Sequence, residues 1–132
     1  MKLFLGEYEH SLDDRGRVTL SRKIRQELNI NQVVLSKGFE PCIFGFDKDR
    51  FDLEAEKQIN IPVTDQKGRD MRRYMFAAAE KVDIDKLGRV LLPTHLKEYA
   101  EIKGTVMIVG AGDHFEIWDK NNWVKYQSRL ES

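Results

Sequence analysis

Two short stretches place an aspartate four residues ahead of an arginine, with a glycine just before the arginine: Asp13…Gly16-Arg17 and Asp85…Gly88-Arg89. A carboxylate and a guanidinium at that separation meet across a tight turn, and their hydrogen bond holds the guanidinium in one orientation. An arginine so held on an exposed turn can contact phosphate or reach a guanine edge. The same pair can equally be an idle surface ion pair, which contributes little. For the first copy the surroundings favour binding. Arg15, Arg17, Arg22, Lys23 and Arg25 stand against only Asp13 and Asp14, a local excess of three positive charges. The second copy, Val82–Lys97, sets Lys86, Arg89 and Lys97 against Asp83 and Asp85, an excess of one. The whole chain carries 22 basic and 22 acidic residues, so a nucleic-acid surface must come from local segregation of charge.

Other chemistry is thinly represented. The histidines are His10, His95 and His114, and Cys42 is the one cysteine, so an internal disulfide is excluded. No Cys/His grouping has zinc-site spacing, and no phosphate-binding glycine loop, HExxH or Gly-x-Ser-x-Gly motif occurs. A Cys42–His114 dyad is conceivable, but a strand cysteine flanked by aromatic residues is more often packed in a core. We therefore expect no catalytic residues, no metal, no cofactor and no small-molecule substrate.

The elements that carry the two turns repeat. Displaced by 72 positions, Asp13–Phe51 lies on Asp85–Trp123 without a gap, and ten of the 39 pairs are identical. Unrelated segments of ordinary composition share roughly 2 or 3. The identities include Asp13/Asp85, Gly16/Gly88, Arg17/Arg89, Val18/Val90, Val34/Val106 and Gly38/Gly110. In each repeat the spacing predicts a hairpin about the Asp-x-x-Gly turn, Tyr8–Leu12 into Arg17–Leu20 and Lys81–Ile84 into Arg89–Leu92. A short helix follows, capped by Ser21 in the first copy and started by Pro93 in the second. Two further strands follow: Gln32–Ser36 with Cys42–Phe46, and Thr105–Val109 with Phe115–Trp118. Asp47–Gln58, a helix capped by Thr64 that carries Met71, Tyr74, Met75 and Ala78 on one face, and Asp119–Leu130 complete an α+β pattern. Four short strands cannot bury their apolar face alone, so the two copies should interleave in one pseudo-twofold barrel.

At Leu12–Val18 and Val82–Pro93 the chain resembles the MraZ family, whose members carry two AbrB-like repeats. Arg72–Ala77, Val106–Gly110 and Phe115–Asp119 match as well, so the resemblance spans nearly the whole chain. It implies a swapped-hairpin AbrB-like β-barrel with added helices after each repeat. Its parts would be a first repeat at 5–48, a helical connector at 49–76, a second repeat at 77–120 and a C-terminal helix at 121–132. It also implies a cytoplasmic, nucleoid-associated regulator, assembled as a homo-oligomeric ring, that binds double-stranded DNA at tandem promoter repeats before the division and cell-wall genes. The candidate DNA-binding residues are then Arg15, Arg17, Arg22, Lys23, Arg25, Lys86 and Arg89, with Asp13 and Asp85 as signature carboxylates. Ser21, where the second copy has Pro93, departs from the family pattern and puts the start of that helix in question.

The remaining alternative is a protein-only ring or antitoxin-like partner binder, with Met71, Tyr74, Trp123 and Tyr126 at subunit contacts instead of in the core. No apolar run approaches the roughly 20 residues of a membrane helix, and the N-terminal apolar stretch is too short for a signal peptide, so no membrane partner is expected.

Overall fold

The computed structural model describes residues 2–132. Thirteen elements follow in order: β1 (Glu7–Ser11), β2 (Arg17–Thr19), α1 (Arg22–Arg25), β3 (Gln32–Lys37), β4 (Ile43–Phe46), α2 (Lys48–Ile59), α3 (Gln66–Ala78), β5 (Glu80–Asp83), β6 (Arg89–Leu91), α4 (Thr94–Tyr99), β7 (Thr105–Gly110), β8 (Phe115–Asp119) and α5 (Lys120–Glu131). This is the expected α+β composition. Six strands form one antiparallel sheet in the order β1-β7-β8-β4-β3-β5, and β2 and β6 form a separate two-stranded ribbon.

The two halves of the chain interleave. β1 pairs with β7, β3 with β5, β4 with β8 and β2 with β6, so four of the six strand pairings join one half to the other. The expected hairpins are therefore corrected. Asp13 N still donates to Arg17 O at 2.9 Å, but past that bond β1 leaves for β7 and β2 for β6. The reason is burial: Val18 and Val90, opposite each other in the ribbon, are fully buried, and a flat β1–β2 hairpin would strand them away from the shared core. Within the described residues the ladder hydrogen bonds trace a sheet with β1 and β5 at its ends, plus the ribbon; none joins β1 to β5 into a closed barrel.

The pairings also locate the internal symmetry. Val18 faces Val90 and Phe44 faces Glu116, each pair 72 residues apart, so a pseudo-twofold axis passes through both contacts. The gapless 72-residue offset fails between them. Val33 pairs with Val82 and Val106 with His10, which makes Val106 the counterpart of Val33 and not of Val34. Burial agrees: Val33 and Leu35 share the main core with Val106 and Ile108. The second half has an extra residue before β7, near Glu101 with φ 58°, and the loop Ala111–His114 is one residue shorter than Gly38–Cys42. The identities Val34/Val106 and Gly38/Gly110 are thus not structural equivalents. A slip of one residue turns every side chain of a strand to its other face, which is why the difference matters.

Helix starts differ from two expectations. Ser21 precedes α1 without a side-chain cap bond, and its Oγ is buried without a partner. α3 is capped by Asp65, not Thr64: the Asp65 carboxylate accepts from Gly68 N at 2.7 Å. Asp119 caps α5 in the same way, through Asn122 N. Asp47, in front of α2, instead accepts from the backbone and side chain of Asn29 and so ties α2 to the end of the α1 region. Trp123 is buried against Trp118, Cys42 and Met107, with Tyr126 half-buried beside them. Met71 and Tyr74 are half-buried.

A polar chain pins α2 to the β7–β8 loop. Arg50 donates to Glu54 at 2.6 Å and to Asp113 at 2.9 Å; His114 lies between Asp113 and Glu116, at 2.8 and 2.9 Å. Burial lowers the His114 pKa, but hydrogen bonds to Glu116 and Asp113 more than offset that, and the group titrates above its ordinary value of 6.5. A raised folded pKa stabilises the fold fully below 6.5 and loses that contribution as pH climbs through the folded value. We predict that the thermal midpoint of the wild type drops more steeply across that range than the midpoint of His114→Gln. Parallel pH profiles for the two proteins would reject this role.

Candidate nucleic-acid interface

Each Asp-x-x-Gly-Arg turn is built by its own aspartate. Asp13 Oδ1 accepts from the backbone N–H of Arg15 at 3.0 Å and of Arg17 at 2.8 Å, and Oδ2 accepts from Arg17 Nε at 2.8 Å. Asp85 repeats the pattern with Leu87 N, Arg89 N and Arg89 Nε at 2.9, 2.9 and 2.8 Å. Gly16 N and Gly88 N close the turns onto Asp13 O and Asp85 O. Both glycines sit at positive φ, 81° and 79°, which a residue with a side chain adopts only under strain. The backbone N–H of the paired arginine is the largest influence on each carboxyl; burial opposes it, and the guanidinium adds to it, so Asp13 and Asp85 both titrate below the ordinary carboxylate value. Both stay ionised at neutral pH and keep hold of their arginines.

This arrangement aims the arginines. Each carboxylate binds Nε alone, and among the described residues no Nη of Arg17 or Arg89 has a hydrogen-bond partner. The fork that reads phosphate or guanine is left free. The side chains of Arg17 and Arg89 are 25% and 29% exposed, neither sealed in the fold nor loose in solvent.

The ribbon then sets the two arginines side by side. Arg17 faces Leu91 and Thr19 faces Arg89, so all four share one face, while Val18 and Val90 point to the core. Diagonal neighbours of this kind lie roughly 7–8 Å apart. A two-stranded antiparallel ribbon presenting two locked arginines has the width and the donors to enter a major groove. Leu91, 54% exposed on the same face, offers an apolar contact.

The other candidates are placed as follows. Arg15 and Lys86 are exposed on the turns, and Arg22 and Lys23 are exposed on α1; none has an ion-pair partner among the described residues. Arg25 does not stay with its own turn. Its Nε donates to Leu20 O at 3.1 Å, and its guanidinium lies over Gly88 of the other turn, where an added Cβ would stand 2.6 Å from Cζ. Lys97, the counterpart of Arg25, lies over Gly16, with Nζ 2.7 Å from the same kind of added Cβ. Sequence reasoning counted Lys97 as local charge but missed it as a site residue, because only the strand exchange carries it to the first turn.

The conceivable Cys–His dyad is not assembled. Cys42 lies in the Trp118/Trp123 cluster, where burial and the charges of Glu116 and Glu40 push its thiol pKa up, and both ring nitrogens of His114 are taken by carboxylates. A cavity of about 250 Å³ opens beside His114, walled by Phe39, Phe44, Phe46 and Tyr74; its carboxylates Glu54 and Asp113 are already bound by Arg50. Among the described residues no cluster of three His, Cys, Asp or Glu is placed to hold a metal, and no helix is long and apolar enough to cross a membrane.

Comparison with known proteins agrees with the doubled architecture. The profile of the MraZ protein family, described also as antitoxin-like, matches twice, over residues 3–74 and 75–132. The transcriptional regulator MraZ of Syntrophomonas wolfei is 39% identical over 130 residues, covering 98% of this chain and 90% of that protein. The protein of the same name from Caldicellulosiruptor bescii is 40% identical over 123 residues, covering 93% and 85%. The one from Roseiflexus sp. is 35% identical over 130 residues, covering 98% and 90%. With both halves matched by the family profile and near-complete relatives at this identity, the chain belongs to the MraZ family.

Proposed function

We propose that this protein is a sequence-specific DNA-binding transcriptional regulator. The observation that supports it most is the pair of arginines, Arg17 and Arg89, each locked at Nε by its own aspartate and both on the outward face of one ribbon. Arg15 and Lys86 extend this face on the turns, and Arg22 and Lys23 add positive charge on α1. The names of the relatives, transcriptional regulators, point the same way. In this reading residues 5–48 and 77–120 are AbrB-like repeats wrapped as a swapped-hairpin barrel, with 49–76 connecting them and 121–132 closing the chain. The protein works in the cytoplasm, on the nucleoid.

One such module offers few phosphate contacts and binds weakly. A homo-oligomeric ring of modules on tandem promoter repeats, as at the division and cell-wall genes, raises the effective concentration of each further contact and so the overall affinity. Occupied repeats then alter access of polymerase to the promoter.

The test is binding of the wild-type protein to DNA with tandem promoter repeats and to a scrambled duplex, over a salt series. We expect tighter binding to the repeats and a log K that falls linearly with log[salt], with a slope of about −0.9 per neutralised phosphate. A protein that acts only through protein contacts, the antitoxin-like alternative, retains neither duplex at any salt concentration, and that result would overturn the proposal.

A further inference from the structure

We infer that each nucleic-acid-contacting turn is completed by a cation from the opposite repeat: Lys97 contacts the backbone beside turn Asp13–Arg17, and Arg25 beside turn Asp85–Arg89. This rests on the DNA-binding reading above and assigns a second group of contact residues within it.

Three observations carry it. First, the turns and the opposite helices are joined by reciprocal hydrogen bonds. Leu20 N donates to Gly88 O at 2.9 Å and Leu92 N to Gly16 O at 3.0 Å, so each turn is stapled to the strand-to-helix junction of the other repeat. Second, each junction carries a cation onto the turn. The Arg25 guanidinium and the Lys97 ammonium occupy the space that a side chain at Gly88 or Gly16 would need. Third, neither cation is neutralised: among the described residues Arg25 and Lys97 have no carboxylate within ion-pair distance, while ten other ion pairs form. A half-buried cation held over a glycine turn without a counter-ion is placed to take one from outside.

The exchange also trades cations between the turns, one for one. By position in the sequence the first turn is the basic one. In space the first turn gathers Arg15, Arg17 and Lys97 against Asp13 and Asp14, and the second gathers Lys86, Arg89 and Arg25 against Asp85. Each turn then presents three cations, and both turns contact nucleic acid. Arg25 is the more fixed of the two, because its Nε is bonded to Leu20 O at 3.1 Å, whereas no hydrogen bond holds the Lys97 ammonium among the described residues.

The experiment compares the wild type with Arg25→Gln, Lys97→Gln and the charge-keeping exchanges Arg25→Lys and Lys97→Arg, in the full-length protein on repeat-containing and scrambled duplexes. We expect each glutamine variant to weaken binding to both duplexes alike and to flatten the salt slope by about 0.9 per bound subunit. The charge-keeping variants should retain the wild-type slope. Arg25→Gln should couple with Lys86→Ala and add independently to Arg15→Ala, since coupling follows proximity in space. Wild-type slopes in both glutamine variants, alongside lost binding in Arg17→Ala, would overturn this inference and leave the DNA-binding reading standing. A slope that Arg25→Lys fails to restore would assign Arg25 a purely structural part and overturn it likewise. No salt-dependent binding by the wild type would overturn both.

Discussion

With Arg15 and Arg17 both replaced by alanine, affinity for repeat-containing DNA falls by roughly 30- to 1,000-fold, while the thermal midpoint stays close to that of the wild type. The magnitude follows from the groups removed. A well-placed arginine contact to a guanine or a phosphate pair contributes about 1–2 kcal/mol, and the two together about 2–4 kcal/mol, at 1.4 kcal/mol per decade. The silence in stability follows from geometry. Arg15 bonds through its side chain to nothing described, and Arg17 makes a half-exposed ion pair, of a kind that adds little to folding. The turn itself survives, because Asp13 still accepts the two backbone N–H groups whatever the side chains at 15 and 17. Band-shift titration and differential scanning calorimetry on the same samples read the two quantities. Undiminished binding would remove these arginines from the interface.

The second large effect lies in the core, at Phe115. Its ring is fully buried, meets Phe4 edge-on at 5.4 Å, and stands between two glycines, Gly45 on β4 and Gly110 on β7. A Cβ on Gly45 would come within 2.2 Å of the ring, so this glycine serves as the slot for Phe115. Phe115→Ala should cost about 3–5 kcal/mol in urea unfolding, the range for emptying a buried aromatic site. Gly45→Val should cost about 1–3 kcal/mol or more by overpacking. Combined, the two should cost distinctly less than their sum, because the new valine enters the space the ring has left. Simple additivity would show that the glycine is there for some other reason.

The candidate site was legible where its bonds are local. Asp13 and Arg17 are four residues apart, and their hydrogen bonds, the glycine at positive φ and the turn closure all fall inside that span. Spacing and residue type therefore sufficed. The pairs β3–β4 and β7–β8 were legible, but the partners of β1, β2, β5 and β6 were not. β1 follows the same alternation whether it pairs with β2 or with β7 nearly a hundred residues later, and nothing local distinguishes the two. That blindness also hid Lys97, whose place over Gly16 exists only after the exchange. The gapless repeat was a subtler miss. An extra residue near Glu101 and a shorter loop before Phe115 cancel over the segment, so the flanking identities stay in register while β3 and β7 are displaced by one. The caps failed for a plain reason: Thr64 and Asp65 both have side chains able to cap, and the position of Gly68, three residues after Asp65, decides between them.

The exchange of strands between halves has a further consequence, for how the chain is made. β1 finds its partner in β7, β4 has β3 but waits for β8 on its other edge, and β2 waits for β6, all translated later in the chain. At ribosomal speeds of about 5–20 residues per second, the amino-terminal half stands for several seconds with unpaired edges and bare valines before its mate emerges. In that interval another nascent amino-terminal half on the same polysome presents nearly the same surface, since the two repeats share their turn and strand pattern. Crowded translation thus favours mispairing between neighbouring chains, and the time needed to make residues 48–78 adds to the exposure.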